Sequence, residues 1–212
     1  MPFSPLVRAR GATRRVWAYV RSAPGTYVWL ALLFVTTVAL RQMSPAFEEQ
    51  FLRQRSTNLH GLSRNPVRVL ISSAFWIDGA TWWPYALLYS VFHAPAERWL
   101  GTLRWLAVCA AAHVLATLVS EGLLAWAIRH GRAPASAADT LDVGVSYALA
   151  GVVAVLTYRL PGRWRGPYLF AVLLFYGLPL AVDRTFTDVG HAVAVLVGLG
   201  CRPLTRRVRS RP

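Results

Sequence analysis

The sequence contains no lysine, and few of its residues carry charge of any kind. All 23 basic residues are arginine, whereas aspartate and glutamate together number nine. Charged residues make up 15% of the 212-residue chain and hydrophobic residues 55%, which is too apolar for most soluble folds. The absence of lysine is typical of a GC-rich coding genome and says little about mechanism. The composition therefore indicates a membrane protein.

Cysteine is nearly absent as well. Cys109 and Cys201 both fall in apolar runs, where a free cysteine behaves as a small apolar residue, so the sequence implies no disulfide framework. It also lacks the Cys and His spacing of a zinc site, a glycine-rich phosphate loop and any internal repeat. We therefore predict neither a metal nor another cofactor.

The sequence does contain six apolar runs, several of them short. A helix needs about 20 mostly apolar residues to cross a hydrocarbon core roughly 30 Å thick. We predict an all-α fold, a polytopic membrane protein with six transmembrane helices. The predicted spans are Tyr27–Leu40, Trp82–Phe92, Trp105–Ile128, Val143–Tyr158, Tyr168–Val182 and Val189–Cys201.

The arginines lie between the apolar runs, and their distribution predicts how the chain is oriented in the membrane. If the connections alternate between the two sides, 15 arginines lie on the side of both termini and 8 on the other. The positive-inside rule then puts both termini in the cytoplasm and the protein in the cell membrane. Basic flanks beside anionic lipids explain the charge of +14 without a nucleic acid.

Three domains follow from this arrangement. Residues 1–24 form a basic cytoplasmic or interfacial segment without the apolar core of a signal peptide, residues 25–202 form the six-helix transmembrane domain, and residues 203–212 form a basic cytoplasmic tail. The long connection after the first span contains FEEQFLRQR, which could form a short interfacial helix. The connection after the second span, Ala94 to Gly101, is predicted to be tight.

Two pairs of polar residues begin the fourth and sixth predicted spans. Asp142 and Ser146 are one helical turn apart and share a face, and Asp188 and His191 do likewise. Ser146 and His191 could meet across a close helix crossing, where the imidazole would take the proton of the serine and make it a nucleophile. The crossing is favoured by small residues, which let helices approach closely in lipid: Gly144, Ala148 and Gly151, and Gly190, Ala194 and Gly198.

The same residues also fit other roles. Serines in membrane helices usually bond back to the preceding turn or fill a small-residue interface, and a lone buried histidine is more often structural. Together with Asp142 and His191, the deep residues His113 and Glu121 leave open a proton relay in a small transporter or channel. That alternative is the weaker one, because the sequence has neither paired broken helices nor an inverted repeat.

The order of these residues resembles that of the rhomboids, six-helix membrane proteins whose active members are intramembrane serine proteases. That family has a Gly-x-Ser motif at the start of its fourth helix and a histidine followed by spaced glycines in its sixth. Here Gly144, Ser146 and His191 stand in those places, and Glu97 and Gly101 match a glutamate and a glycine after the family's second helix. The resemblance extends from the first predicted span to the last.

The sequence departs from the rhomboid pattern in its fourth helix, where Tyr147 follows Ser146 directly although the family has glycine or alanine there, and in its second helix. Active rhomboids carry a histidine and, four residues later, an asparagine as oxyanion donors in the second helix, and those positions fall on Thr81 and Tyr85 here. Losing one such donor typically raises the activation free energy of the reaction by about 2.7 to 4 kcal/mol.

A second alignment of the fourth helix with the family is also open. If Tyr147 matches the family's tyrosine, Val143 takes the position of the nucleophile. Ser146 then points elsewhere, since a shift of one residue rotates a helix by about 100°.

Two functions follow from the resemblance. In the first, the chain is an intramembrane serine protease in which Ser146 is the nucleophile and His191 the general base, supported by Gly144, Asp142 and Asp188. Its substrate is then a membrane segment of another protein. In the second, the chain is a catalytically inactive relative that binds transmembrane helices of client proteins. Neither function requires a cofactor, and both imply membrane lipids as partners.

Overall fold

The computed structural model describes residues 5–182 and 185–206 of the chain. Its regular elements in these ranges are all helices, as the sequence predicts. Each of the six predicted spans overlaps a helix. The apolar runs were therefore sufficient to place the main helices, whereas the connections between them hold more structure than expected.

A sharp bend separates the first two helices. α1 spans Pro5–Arg21 and α2 spans Pro24–Leu40, and their axes meet at 99°. Pro24 opens α2, where the missing N–H of proline is no loss because the first N–H groups of a helix have no partner inside it. The segment predicted to be basic and interfacial thus contains a helix that runs across the direction of α2.

The long connection after α2 folds into three short helices. α3 spans Pro45–Arg53, α4 spans Leu59–Arg64 and α5 spans Pro66–Ser73. The side chain of Asn58 accepts a hydrogen bond from the N–H of Gly61, and Asn65 caps α5 in the same way. α3 contains most of the FEEQFLRQR stretch, so the predicted short helix is present there.

The expectation of a tight connection at Ala94 to Gly101 was wrong. Helix α6, Trp83–Leu88, passes through a π-helical turn at Tyr89–His93 into helix α7, Ala94–Leu100. Because Pro95 lacks an N–H and crowds the preceding turn, the wider π turn before it lets the helix continue. The chain turns only at Gly101, whose φ of +82° suits glycine.

Four further helices follow Gly101. They are α8, Thr102–Arg129; α9, Val145–Val155, extended by a 3₁₀ turn at Leu156–Tyr158; α10, Gly162–Val182; and α11, Phe186–Gly200. α8, α9 and α11 pack against one another, and ten of the eleven residues of α9 are buried. The exception is Ser146.

Two of the described helices, α8 and α10, are long and apolar enough to cross a membrane, and the bent pair of α1 and α2 makes a third if it forms one span. α9 with its 3₁₀ extension and α11 are apolar but shorter. The described residues therefore form an all-helical structure with two or three helices capable of spanning a membrane. Six crossings remain a prediction.

Small residues bring α9 very close to its neighbours. A Cβ on Gly198 of α11 would lie 2.2 Å from the carbonyl oxygen of Gly151, and a Cβ on Gly151 would lie 2.3 Å from the Cβ of Ala112 on α8. No side chain fits in such gaps, so glycine is required at both positions. The small-residue stripes of the fourth and sixth predicted spans do meet, and this contact fixes how α9 and α11 face each other.

Candidate functional site

Ser146 lies in the first turn of α9. The residue before the helix is Gly144, and no side chain caps the helix start. A Cβ on Gly144 would lie 1.7 Å from Cε1 of His113, so glycine is needed there to leave room for the imidazole of α8. His113 is held in place by a 2.8 Å hydrogen bond from its Nε2 to the carbonyl oxygen of Leu70 on α5. Gly144 and His113 thus fix the start of the helix that carries Ser146.

His191 lies in the second turn of α11. The helix begins with a capping box, in which Thr185 and Asp188 bond each other's backbone N–H groups. The imidazole of His191 packs edge-on against the ring of Tyr147, with centroids 5.1 Å apart, and lies 5.7 Å from the ring of Tyr176 on α10. Both tyrosine rings therefore pack against the imidazole.

Ser146 and His191 line one cavity of about 710 Å³. Its walls come from α6 and the π turn, α9, α10 and α11, and they are mostly apolar. Among the residues that the structure describes, no hydrogen bond joins the serine hydroxyl to the imidazole. The cavity is lined by Tyr85, Leu88, Phe92, Ser146, Leu149, Val153, Tyr168, Ala171, Val172, Phe175, Tyr176, Pro179, Asp188 and His191.

The two oxyanion candidates lie in different places. Tyr85 of α6 lines the cavity, with its ring 6.3 Å from that of Tyr89. Thr81 lies before α6, is exposed, and donates its hydroxyl to the carbonyl oxygen of Gly79 at 2.9 Å. Only Tyr85 is therefore near Ser146 and His191.

A comparison with protein families agrees with this architecture. The family described as rhomboid-like protein matches residues 18–211 of the chain. The chain belongs to the rhomboid-like family. No curated protein and no solved structure matches it. The family match confirms the resemblance that the sequence suggested and makes the chain a rhomboid-like membrane protein.

Asp142 of this rhomboid-like protein does not line the cavity. It joins the segment before α9 to the connection between α3 and α4: its carbonyl oxygen accepts hydrogen bonds from the N–H of Thr57 at 3.0 Å and from the hydroxyl of Ser56 at 2.9 Å. The N–H of Asp142 donates back to Ser56 at 2.7 Å. Asp142 thus anchors the start of α9, whereas Asp188 lines the cavity and caps α11.

In the rhomboid-like fold, the residue next to Ser146 also matters for the site. The ring of Tyr147 packs on His191 and fills the space over Gly190, where a Cβ would lie 2.5 Å from the tyrosine hydroxyl oxygen. Val143, the alternative nucleophile position, does not line the cavity. The sequence drew attention to Tyr147 only as a register marker, and it gave no signal for Tyr176.

Glu121 of α8 is a second feature outside the cavity. It is 1% exposed, and both of its carboxylate oxygens lack a hydrogen-bond partner among the described residues. The hydroxyl of Tyr147 is likewise buried, next to Asp142 and Ser120. The described residues contain no group of three or more His, Cys, Asp or Glu side chains that could hold a metal ion.

Proposed function

We propose that this rhomboid-like protein is an intramembrane serine protease with a dyad of Ser146 and His191. The observation that supports it is the shared cavity: α9 buries ten of its eleven residues, and the one that remains, Ser146, faces the same space as His191 of α11. A hydroxyl that served only packing would lie within the α9 interfaces with its neighbours. Ser146 instead lines the cavity, and this supports a role in binding or chemistry.

The proposed reaction uses these two side chains in turn. The hydroxyl oxygen of Ser146 attacks a peptide carbonyl while His191 takes its proton, and the imidazolium then protonates the leaving amine. Water hydrolyses the acyl-enzyme with His191 again acting as the base. Because the two side chains share no hydrogen bond here, the proposal requires that they come together when substrate binds, as in other sites that tighten on binding.

The cavity suits an unwound segment of a transmembrane helix. Its volume of about 710 Å³ lies in the usual range for ligand sites, and its walls are largely apolar. A peptide bond that leaves its helix inside a membrane needs new hydrogen-bond partners. Tyr85, Tyr176 and Asp188 are polar cavity residues that could provide them.

A fluorophosphonate probe, which reacts with activated serines, tests the proposal on the full chain in detergent micelles. We expect labelling of the wild type and its loss in Ser146→Ala and His191→Ala. Ser63→Ala is the matched control, because Ser63 is an exposed serine on α4. Labelling that survives Ser146→Ala would place the reactive group elsewhere and refute the dyad.

A second function is favoured by two specific observations. Ser146 and His191 share no hydrogen bond, and Thr81, one of the two oxyanion candidates, lies outside the cavity. Both observations fit a catalytically inactive member that binds transmembrane segments of client proteins.

A photo-crosslinking residue in place of Leu149, which lines the cavity, distinguishes the two functions. An inactive member captures a membrane segment equally well before and after the change Ser146→Ala, and gives no cleavage product in either case.

We also propose that both termini lie in the cytoplasm of a cell membrane crossed six times. The arginine distribution supports this orientation. Single cysteines at Ser63 and at Trp164, in a variant without Cys109 and Cys201, test it with a membrane-impermeant maleimide on intact cells. We expect labelling at position 63 only, because position 164 would lie on the cytoplasmic side; the reverse pattern would invert the topology.

A further inference from the structure

A basic groove crosses the surface of the three short helices α3, α4 and α5. It has a volume of about 520 Å³ and lies outside the cavity of Ser146 and His191. Three arginines line it, Arg53, Arg64 and Arg68, together with His60 and Asp139. All five side chains are exposed or half-buried, so the groove is open to a ligand.

Two positive charges in the basic groove are uncompensated. Arg53 already binds Glu49 at 2.6 Å, and Nδ1 of His60 lies 3.0 Å from the carboxylate of Asp139. The guanidinium groups of Arg64 and Arg68, by contrast, bond none of the residues that the structure describes. Guanidinium forks bind phosphate oxygens in pairs, so two arginines without a partner in one groove suit a phosphate group.

An apolar groove begins where the basic groove ends. Arg68 and Val69 of α5 line the basic groove, and the next two residues, Leu70 and Ile71, line an apolar groove of about 430 Å³. Arg68 and Ile71 are three residues apart and therefore share a face of α5. The walls of the apolar groove come from α2, α5 and α8, and include Val28, Leu32 and Leu106.

The apolar groove lies on a surface that needs an apolar covering. Ile71 and Val28 are each 60% exposed, and Leu106 is 50% exposed. In a membrane-spanning protein such side chains face acyl chains. A hydrocarbon chain laid along them would reach α5 at the point where Arg68 enters the basic groove.

We propose that the two grooves together form a binding site for one anionic phospholipid. Arg64 and Arg68 bind its phosphate, and one acyl chain lies along Ile71 between α2, α5 and α8. The amphipathic lining selects a lipid over a free phosphate ion, which would use only the arginines. An anionic headgroup adds negative charge that Arg64 and Arg68 attract, so we expect phosphatidylglycerol to bind more tightly than a zwitterionic lipid.

Native mass spectrometry of the full chain in detergent, titrated with phosphatidylglycerol or phosphatidylcholine, tests this site. We expect Arg64→Gln/Arg68→Gln to weaken phosphatidylglycerol binding about 30-fold, since each arginine near an anionic lipid contributes a factor of several. Arg163→Gln/Arg165→Gln removes the same charge from exposed positions outside both grooves and should retain wild-type binding. Equal losses of phosphatidylglycerol binding in the two double variants would show that arginines attract the lipid nonspecifically, and would overturn the proposal.

Two further variants distinguish a lipid site from a site for free phosphate. Ile71→Ala should weaken phosphatidylglycerol binding but leave binding of glycerol phosphate unchanged, whereas Leu103→Ala, an exposed residue outside the grooves, should change neither. Glycerol phosphate binding as tight as that of the lipid would identify a free-phosphate site instead and refute the lipid. Arg64→Lys/Arg68→Lys keeps the positive charge. Its affinity for phosphatidylglycerol should lie between those of the wild type and of Arg64→Gln/Arg68→Gln, and its unfolding midpoint should equal that of the wild type.

Discussion

The carboxylate of Glu97 accepts two hydrogen bonds from Thr26, one from its backbone N–H and one from its hydroxyl, both 2.7 Å long. The same carboxylate also accepts bonds from the N–H of Gly25 and the hydroxyl of Thr102, each at 2.8 Å. Glu97 of α7 therefore joins the start of α2 to the start of α8. A negative charge at the positive end of a helix adds to this attachment.

We expect Glu97→Gln to lower the stability of the protein by about 1.5 to 3 kcal/mol. The amide nitrogen of glutamine would face N–H donors, and the charge-assisted hydrogen bonds would be lost. The thermal unfolding midpoint in detergent measures the effect. Asp78→Asn is the control, since Asp78 is exposed and bonds none of the described residues through its side chain. A midpoint equal to that of the control would show that the Glu97 contacts contribute little.

Gly198→Ala should destabilise the packing of α11 on α9 by about 1 to 3 kcal/mol. The new methyl group would lie 2.2 Å from the carbonyl oxygen of Gly151, so the helices would have to separate. Gly200→Ala is the matched control two residues later, where a Cβ has open space around it. It should leave the unfolding midpoint unchanged or raise it. Equal midpoints for the two variants would contradict the close crossing.

Substitutions of Tyr85 and of Thr81 should differ sharply in their effect on the reactivity of Ser146. Tyr85 lines the cavity and can donate its hydroxyl to a developing oxyanion, so Tyr85→Phe should slow fluorophosphonate labelling of Ser146 by about 10²- to 10³-fold. Thr81→Val should leave the labelling rate unchanged, because the hydroxyl of Thr81 is bonded to Gly79 outside the cavity. A slower rate in Thr81→Val would indicate that Thr81 moves into the site.

Glu121→Gln should unfold at a temperature at least as high as that of the wild type. The change removes an ionisable group that is 1% exposed and whose carboxylate oxygens have no hydrogen-bond partner among the described residues, and such a group is costly to bury. Glu49→Gln, which breaks an exposed pair with Arg53, should lower stability by about 1 kcal/mol or less. Clear destabilisation by Glu121→Gln would reveal a bound partner at the carboxylate.

Much of the helical architecture follows from the sequence. The apolar runs place the main helices because hydrophobic length is a local property, and the glycine stripes of the fourth and sixth runs indicate the crossing that Gly151 and Gly198 form. The helical structure of residues 94–100 was missed, because a proline in an apolar helix normally marks its end and the π turn that accommodates Pro95 leaves no signature in the sequence.

The residue types and their spacing by themselves determined the all-helical fold and singled out Ser146 and His191, and the order of these residues resembled that of the rhomboid-like family. Only the tertiary structure decided that Ser146 and His191 face one cavity without a hydrogen bond, that Tyr85 lines the same cavity and that Asp142 ties the start of α9 to the connection between α3 and α4. The reason is geometric. Each residue turns a helix by about 100°, so the direction of a side chain depends on how whole helices cross, and that is fixed by contacts between distant parts of the chain.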